Sequence, residues 1–124
     1  MTVKELDDTI GGNYENAKKI MMSDALISRF IVKLIDDPSY ARLTEARRTM
    51  NAEELFSAAH GLKGVWGNLG LTSLSNAAAE ITEEFRSGNS RTLSDEEVLE
   101  KLDNIDVQYR KTIAGIRQFA EEAA

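Results

Sequence analysis

The chain has 124 residues, 42% of them apolar and 29% charged, with a formal net charge of −6 at pH 7. That length gives one domain a real core with little left for a second, and the acidic balance disfavours nonspecific attachment to nucleic acid. The lack of cysteine excludes disulfides and thiolate metal sites, no apolar run is long enough to span a membrane, and the first residues lack the order of a signal peptide, so a cytoplasmic protein is expected.

From the N-terminus, Val3, Leu6 and Ile10 mark one face of a short helix ending at Gly11-Gly12. Asn13 reads as the N-cap of a second helix, with Tyr14, Ala17, Ile20 and Met21 on one face. Ser23 or Asp24 restarts the chain. Leu26, Ile27, Phe30, Ile31, Leu34 and Ile35 then predict a broad, well-buried apolar face. Pro38 disfavours α conformation at Asp37 and suits the first position of the next helix, with Asp37 as its cap. That helix places Tyr40, Leu43, Ala46 and Met50 inward and Arg42, Arg47 and Arg48 in solvent.

Asn51 and Glu54 have capping-box spacing, with Asn replacing the usual Ser or Thr, and open a helix that Gly70 ends. After a start at Thr72 or Ser73, Leu71, Leu74, Ala78, Ile81 and Phe85 recur at steps of three and four. Ser87 to Thr92, rich in Ser, Gly and Asn, predicts a flexible loop. Ser94 and Glu97 form a second capping box. The last helix runs on Val98, Leu102, Ile105, Tyr109, Ile113, Ile116 and Ala120.

No strand pattern survives beside these periods. The predicted fold class is all-α, an antiparallel up-down four-helix bundle with additional N-terminal helices. Its members are the helix before Gly70, the helix after it, 24–36 and 95–121, with 39–50 and the N-terminal helices covering ends or sides. The organisation expected is a single domain over 1–124, with 1–22 an N-terminal extension and 23–123 the bundle core.

The informative stretch is Ala58 to Gly70. It carries the one histidine of the chain and four of its eight glycines. Leu55, Ala59, Leu62, Trp66 and Leu69 draw a single apolar stripe along this helix, which makes Trp66 a core residue. At about 100° per residue, His60 points roughly 140° away from that stripe. Gly64 and Gly67 follow it on the outward face, Ser57 precedes it by one turn, and Phe56 and Lys63 flank it. Met21 and Met22 read as core or core edge. Glycines inside a helix cost about 0.8–1 kcal/mol each relative to alanine, so Gly61, Gly64 and Gly67 cost roughly 2–3 kcal/mol together. In a marginally stable protein such a loss suggests a use. Clearing the surface round His60 for another protein is the use read for Gly64. Close approach of a neighbouring helix suits Gly61 best.

His60-Gly61-Leu62-Lys63-Gly64 followed by Asn68-Leu69-Gly70 resembles the signature of histidine phosphotransfer (HPt) domains of bacterial phosphorelays. The resemblance covers residues 24 to 121 and implies that His60 carries a phosphoryl group between receiver-domain aspartates. It implies Lys63 as the cation that screens phosphate charge and Gly64 as steric clearance. In the family a Gln or Glu 22 residues after the histidine often orients the imidazole. Here that position is Thr82, a departure, with Glu83 or Glu80 as substitutes. A receiver is expected to dock on Phe56, Ser57, His60, Gly61, Gly64 and Gly67, with partial core burial the alternative for Phe56. Trp66 stands where the family often has a small residue.

The implied protein is a phosphocarrier without autonomous turnover. It has no bound cofactor or metal of its own, and Mg²⁺ belongs to the receiver. Its expected partners are response-regulator receiver domains and/or a hybrid sensor histidine kinase, with no nucleic acid, no membrane insertion and a monomeric state expected. No nucleotide-binding glycine loop is present. A lone helical histidine is commonly just a solvated side chain, and the single histidine offers no paired metal site. Two rivals remain at this point: a non-catalytic interaction module with the same bundle, and the HPt domain of a chemotaxis-type kinase.

Overall fold

The computed structural model describes residues 1–123, with side-chain environments to Glu122. Among the described residues seven α-helices follow one another: α1 Val3–Ile10, α2 Tyr14–Met21, α3 Asp24–Lys33 with a 3₁₀ turn at Leu34–Asp36, α4 Ser39–Thr49, α5 Ala52–Asn68, α6 Thr72–Phe85 and α7 Asp95–Ala123. No strand occurs among the described residues. The starts follow the capping chemistry of the sequence. Asn13, Ser23 and Asn51 each accept a backbone N–H at the third residue of their helix. Thr2 and Glu5 form a full capping box that the sequence reading had not singled out. Ser94 and Glu97 bond reciprocally at 3.1 Å as predicted. At α4 the start is shifted by one residue: Pro38 holds the N-cap position and Ser39 is the first helical residue, while the Asp37 carboxylate accepts the Ser39 N–H at 2.7 Å.

The bundle is formed by α4, α5, α6 and α7. Side chains show how they run. Ser75 of α6 meets α5 at Lys63 and Gly67, whereas Arg86 lies beside Phe56. Ser73 bonds Gln108 and Glu80 bonds Lys101 across α6 and α7. Tyr40 bonds Asp106, and Arg47 bonds Asp103, across α4 and α7. In each pair, rising numbers on one helix meet falling numbers on the other, so neighbours are antiparallel.

The sequence reading put 24–36 in the bundle and 39–50 at its side. The 39–50 helix meets α5 and α7, and 24–36 packs against α7 and the two N-terminal helices. Ile27, Ile31 and Leu34 are buried, but Leu26 and Phe30 are 37% and 40% exposed. The face is therefore narrower than its run of apolar residues implied, because α1 and α2 are only eight residues each and do not cover all of it. Ile20 and Met22 are likewise exposed, which corrects their assignment to a core face. Met22 ends α2 in a left-handed conformation, φ 68°, and points out.

Trp66 is completely buried, as the stripe required. It packs near Tyr40 and Tyr109, at ring-centroid distances of 6.4 and 6.1 Å, and those two tyrosines stack on each other at 3.7 Å. The cluster fills the seam between α4, α5 and α7 with apolar area while the Tyr40 hydroxyl donates to Asp106 at 2.6 Å. Burial, and then that hydrogen bond, push the Tyr40 phenol above its ordinary range. The same bond is the main reason the Asp106 carboxyl lies below its own.

Two corners hold the helices in register. Gly70, at φ 75°, closes α5: Leu71 N–H reaches Trp66 O at 2.9 Å and Gly70 N–H reaches Gly67 O at 3.1 Å, the paired bonds that finish a helix at a left-handed residue. Asn13 donates its N–H to Gly70 O at 2.6 Å, so the α1–α2 link is tied to the α5–α6 turn. At the other end, the loop predicted to be flexible is stapled by Glu84. Its buried carboxylate accepts from Leu93 N–H, the Thr92 hydroxyl and N–H, and Arg91 Nε. Burial pushes this carboxyl up, but the four donors outweigh it and hold it at about 2.

Candidate functional site

Leu55, Ala59, Leu62, Trp66 and Leu69 are all buried and His60 is exposed. The imidazole therefore stands on the solvent side of α5 in the middle of a helix whose inner face is locked. Ser57, Gly61 and Gly64 are exposed around it. A Cβ built on Gly61 or Gly64 would meet nothing within 4 Å. Neither glycine is needed for packing, which leaves a bare strip of backbone beside the ring. Gly67 is different. It is half-buried, and a Cβ there would lie 3.1 Å from Ser75 Oγ. That hydroxyl donates to Lys63 O at 2.9 Å and holds α6 against α5. The close-approach role thus belongs to Gly67, and the open position to Gly61, reversing the assignment made from the helical wheel. Gly67 lies at the right angle, but α6 closes in on α5 as the two converge on the Gly70 turn.

Phe56 is half-buried and stacks on His60, with centroids 5.4 Å apart and planes 15° from parallel. An aromatic four residues before an imidazole is a helical neighbour, so the contact follows from spacing. The Arg86 guanidinium lies 5.2 Å from the Phe56 ring centroid, within cation–π range. Arg86 is itself forked onto Glu83, Nε at 3.2 and 3.1 Å and Nη2 at 2.9 Å. Those hydrogen bonds are the main reason the Glu83 carboxyl lies below its ordinary value, and the charges of Arg86 and Lys63 add to them. Lys63 is half-buried at the edge of the same patch. Two cations and one carboxylate therefore sit around the aromatic pair. Arg86 went unnoticed in the sequence reading: it stands at the end of another helix, and only antiparallel packing brings it here.

Thr82 does not orient the ring. It is completely buried, and its hydroxyl donates to Ala78 O at 2.8 Å within α6. The two substitutes are occupied as well, Glu83 by Arg86 and Glu80 by Lys101 at 2.8 Å. The position that usually supplies a side-chain acceptor has become part of the core. Among the described residues the imidazole's partner is the Phe56 ring.

The arrangement is an exposed imidazole one helical turn from a lysine, on a bundle helix with open space at Gly61 and Gly64. The Hpt domain family matches residues 26–119, from within α3 to the end of the core face of α7, and the chain belongs to that family. Hpt domains are phosphocarriers that work with receiver domains and histidine kinases in phosphorelays. Neither a curated relative nor a solved structure matches the chain significantly. No described helix is long and apolar enough to cross a membrane.

Proposed function

We propose that this protein receives a phosphoryl group on His60 from the aspartyl phosphate of one receiver domain and passes it to the aspartate of another. The observation that carries this reading is the exposed imidazole flanked by Gly61 and Gly64, both open at Cβ. A neutral imidazole is a competent nucleophile near neutral pH. The lone pair on Nε2 forms the nitrogen–phosphorus bond as the acyl oxygen–phosphorus bond breaks. The bonding electrons leave on the aspartate carboxylate, and the ring stays cationic until its Nδ1 proton is shed. Transfer of this kind needs in-line approach and charge neutralisation more than covalent machinery.

The cleared strip supplies the first need, because a receiver can bring its aspartate close only if α5 offers no side chains there. Lys63 supplies part of the second, and Mg²⁺ on the receiver the rest. Docking falls on Ser57, Gly61 and Gly64, with Phe56 at its edge; Gly67 is withdrawn from the docking set because it packs against Ser75. The chain holds the group between encounters and turns nothing over by itself.

Incubation with phosphorylated receivers tests this. The label on the chain should be acid-labile and base-stable, and should move on to a second, unphosphorylated receiver. A base-labile label, or one that never leaves, contradicts the relay role.

A further inference from the structure

We infer that Phe56 is a positioning residue for His60, an aromatic plate that sets the plane of the imidazole where the usual hydrogen-bonding side chain is lacking. The inference rests on the phosphocarrier reading above. Two independent observations lead to it. Thr82, Glu80 and Glu83, the three acceptors that the sequence offered for the ring, are engaged elsewhere. The Phe56 ring lies nearly parallel to the imidazole at 5.4 Å.

Stacking on a half-buried ring restricts rotation of His60 about its side-chain bonds, as a hydrogen bond to Nδ1 would, but engages neither nitrogen. The plate is in turn held. Its inner edge packs against the core, and the Arg86 guanidinium lies 5.2 Å from its centroid, fixed by the fork onto Glu83. The chain Glu83–Arg86–Phe56–His60 thus carries α6 geometry to the reacting nitrogen without a direct bond between α6 and the ring. Fixing the ring plane shortens the search for in-line geometry, which acts on the transfer step and not on receiver affinity.

The test uses Phe56→Leu, which keeps apolar volume and helix propensity, with Phe56→Tyr as the conservative variant. Because His60 is the only histidine, its ring protons are resolved without ambiguity. In the free protein these protons should show an upfield ring-current shift, lost in F56L and kept in F56Y. With a saturating phosphorylated receiver, F56L should transfer roughly three- to tenfold more slowly, with KM little changed, and F56Y should restore the rate. Unchanged ring shifts in F56L overturn the inference, as does a rise in KM at constant rate, which assigns Phe56 to receiver docking alone. A wild-type chain that takes up no label fails the phosphocarrier reading itself, and this inference with it, a result distinct from the other two.

Discussion

The outer strip of α5 and the N-terminal corner of the molecule both set glycines beside an ionisable side chain, yet they are built on opposite principles. On the strip, Gly61 and Gly64 have empty space where a Cβ would go, and His60 stands in solvent. In the corner, a Cβ on Gly70 would run into the carbonyl oxygen of Asn13, one on Gly12 would lie 3.1 Å from the Asp7 carboxyl, and Asp7 is sealed from solvent. Glycine in the corner is required by the fold. Glycine on the strip lowers helix stability with no packing return, and under the proposed function the return is access. On the proposed reading the same residue type marks structure in one place and function in the other: Gly70 has both a left-handed φ and a blocked Cβ, and Gly61 and Gly64 have neither.

Substitution at the corner should have the largest effect. Gly70→Ala places a Cβ at φ 75° and against Asn13, and should destabilise by about 2–5 kcal/mol, read from urea unfolding. A loss under 1 kcal/mol would remove the structural half of the contrast.

Asp7 comes next. Both its carboxylate oxygens are buried without a hydrogen-bond partner among the described residues. Burial, with a smaller push from Asp8, raises its carboxyl from 3.8 to about 6. An acid whose folded value is raised favours folding while it is protonated. Stability from this group should accordingly fall as pH rises from about 4 to about 6, by about 3 kcal/mol in all, and level off above. Asp7→Asn should flatten that slope. Identical slopes in both proteins would show that the corner tolerates the charge.

On the strip the sign reverses. Gly64→Ala should stabilise by about 0.8–1 kcal/mol, because the added methyl meets nothing and the helix gains propensity. Destabilisation there would mean that Gly64 packs against something. Gly64→Gln should leave stability within about 0.5 kcal/mol of wild type or above it, yet slow phosphoryl transfer by blocking approach. Normal transfer in that folded variant would separate the bare strip from the function assigned to it.

The apolar stripes of α5, α6 and α7 were legible in the sequence because a helical period needs no partner to be seen. Trp66, Leu102 and Ile105 are buried as their spacing required. The stripe of α7 is wider than its spacing indicated, taking in the buried Thr112 and Phe119 as well. What periodicity could not give is the identity of the neighbour. The long apolar run of α3 promised a bundle member and the sparser α4 did not. Yet Tyr40, Leu43 and Ala46 of α4 meet the core, while part of α3 is left in solvent. The same gap exchanged Gly61 with Gly67, since a wheel angle says where a residue points but not how near the next helix comes. It also hid Arg86, and it left Thr82 as a candidate partner of His60 although its hydroxyl is spent on its own helix. His60, Lys63 and Gly64 were legible as neighbours on one side of α5 because their spacing along one helix is local.

The most direct test compares phosphoryl uptake by wild type and His60→Gln from the same phosphorylated receiver, with thermal unfolding followed on both proteins. The account predicts that the substitution abolishes uptake while helicity and melting stay nearly unchanged, because the exposed ring contributes little to the core. Label retained on His60→Gln would contradict it.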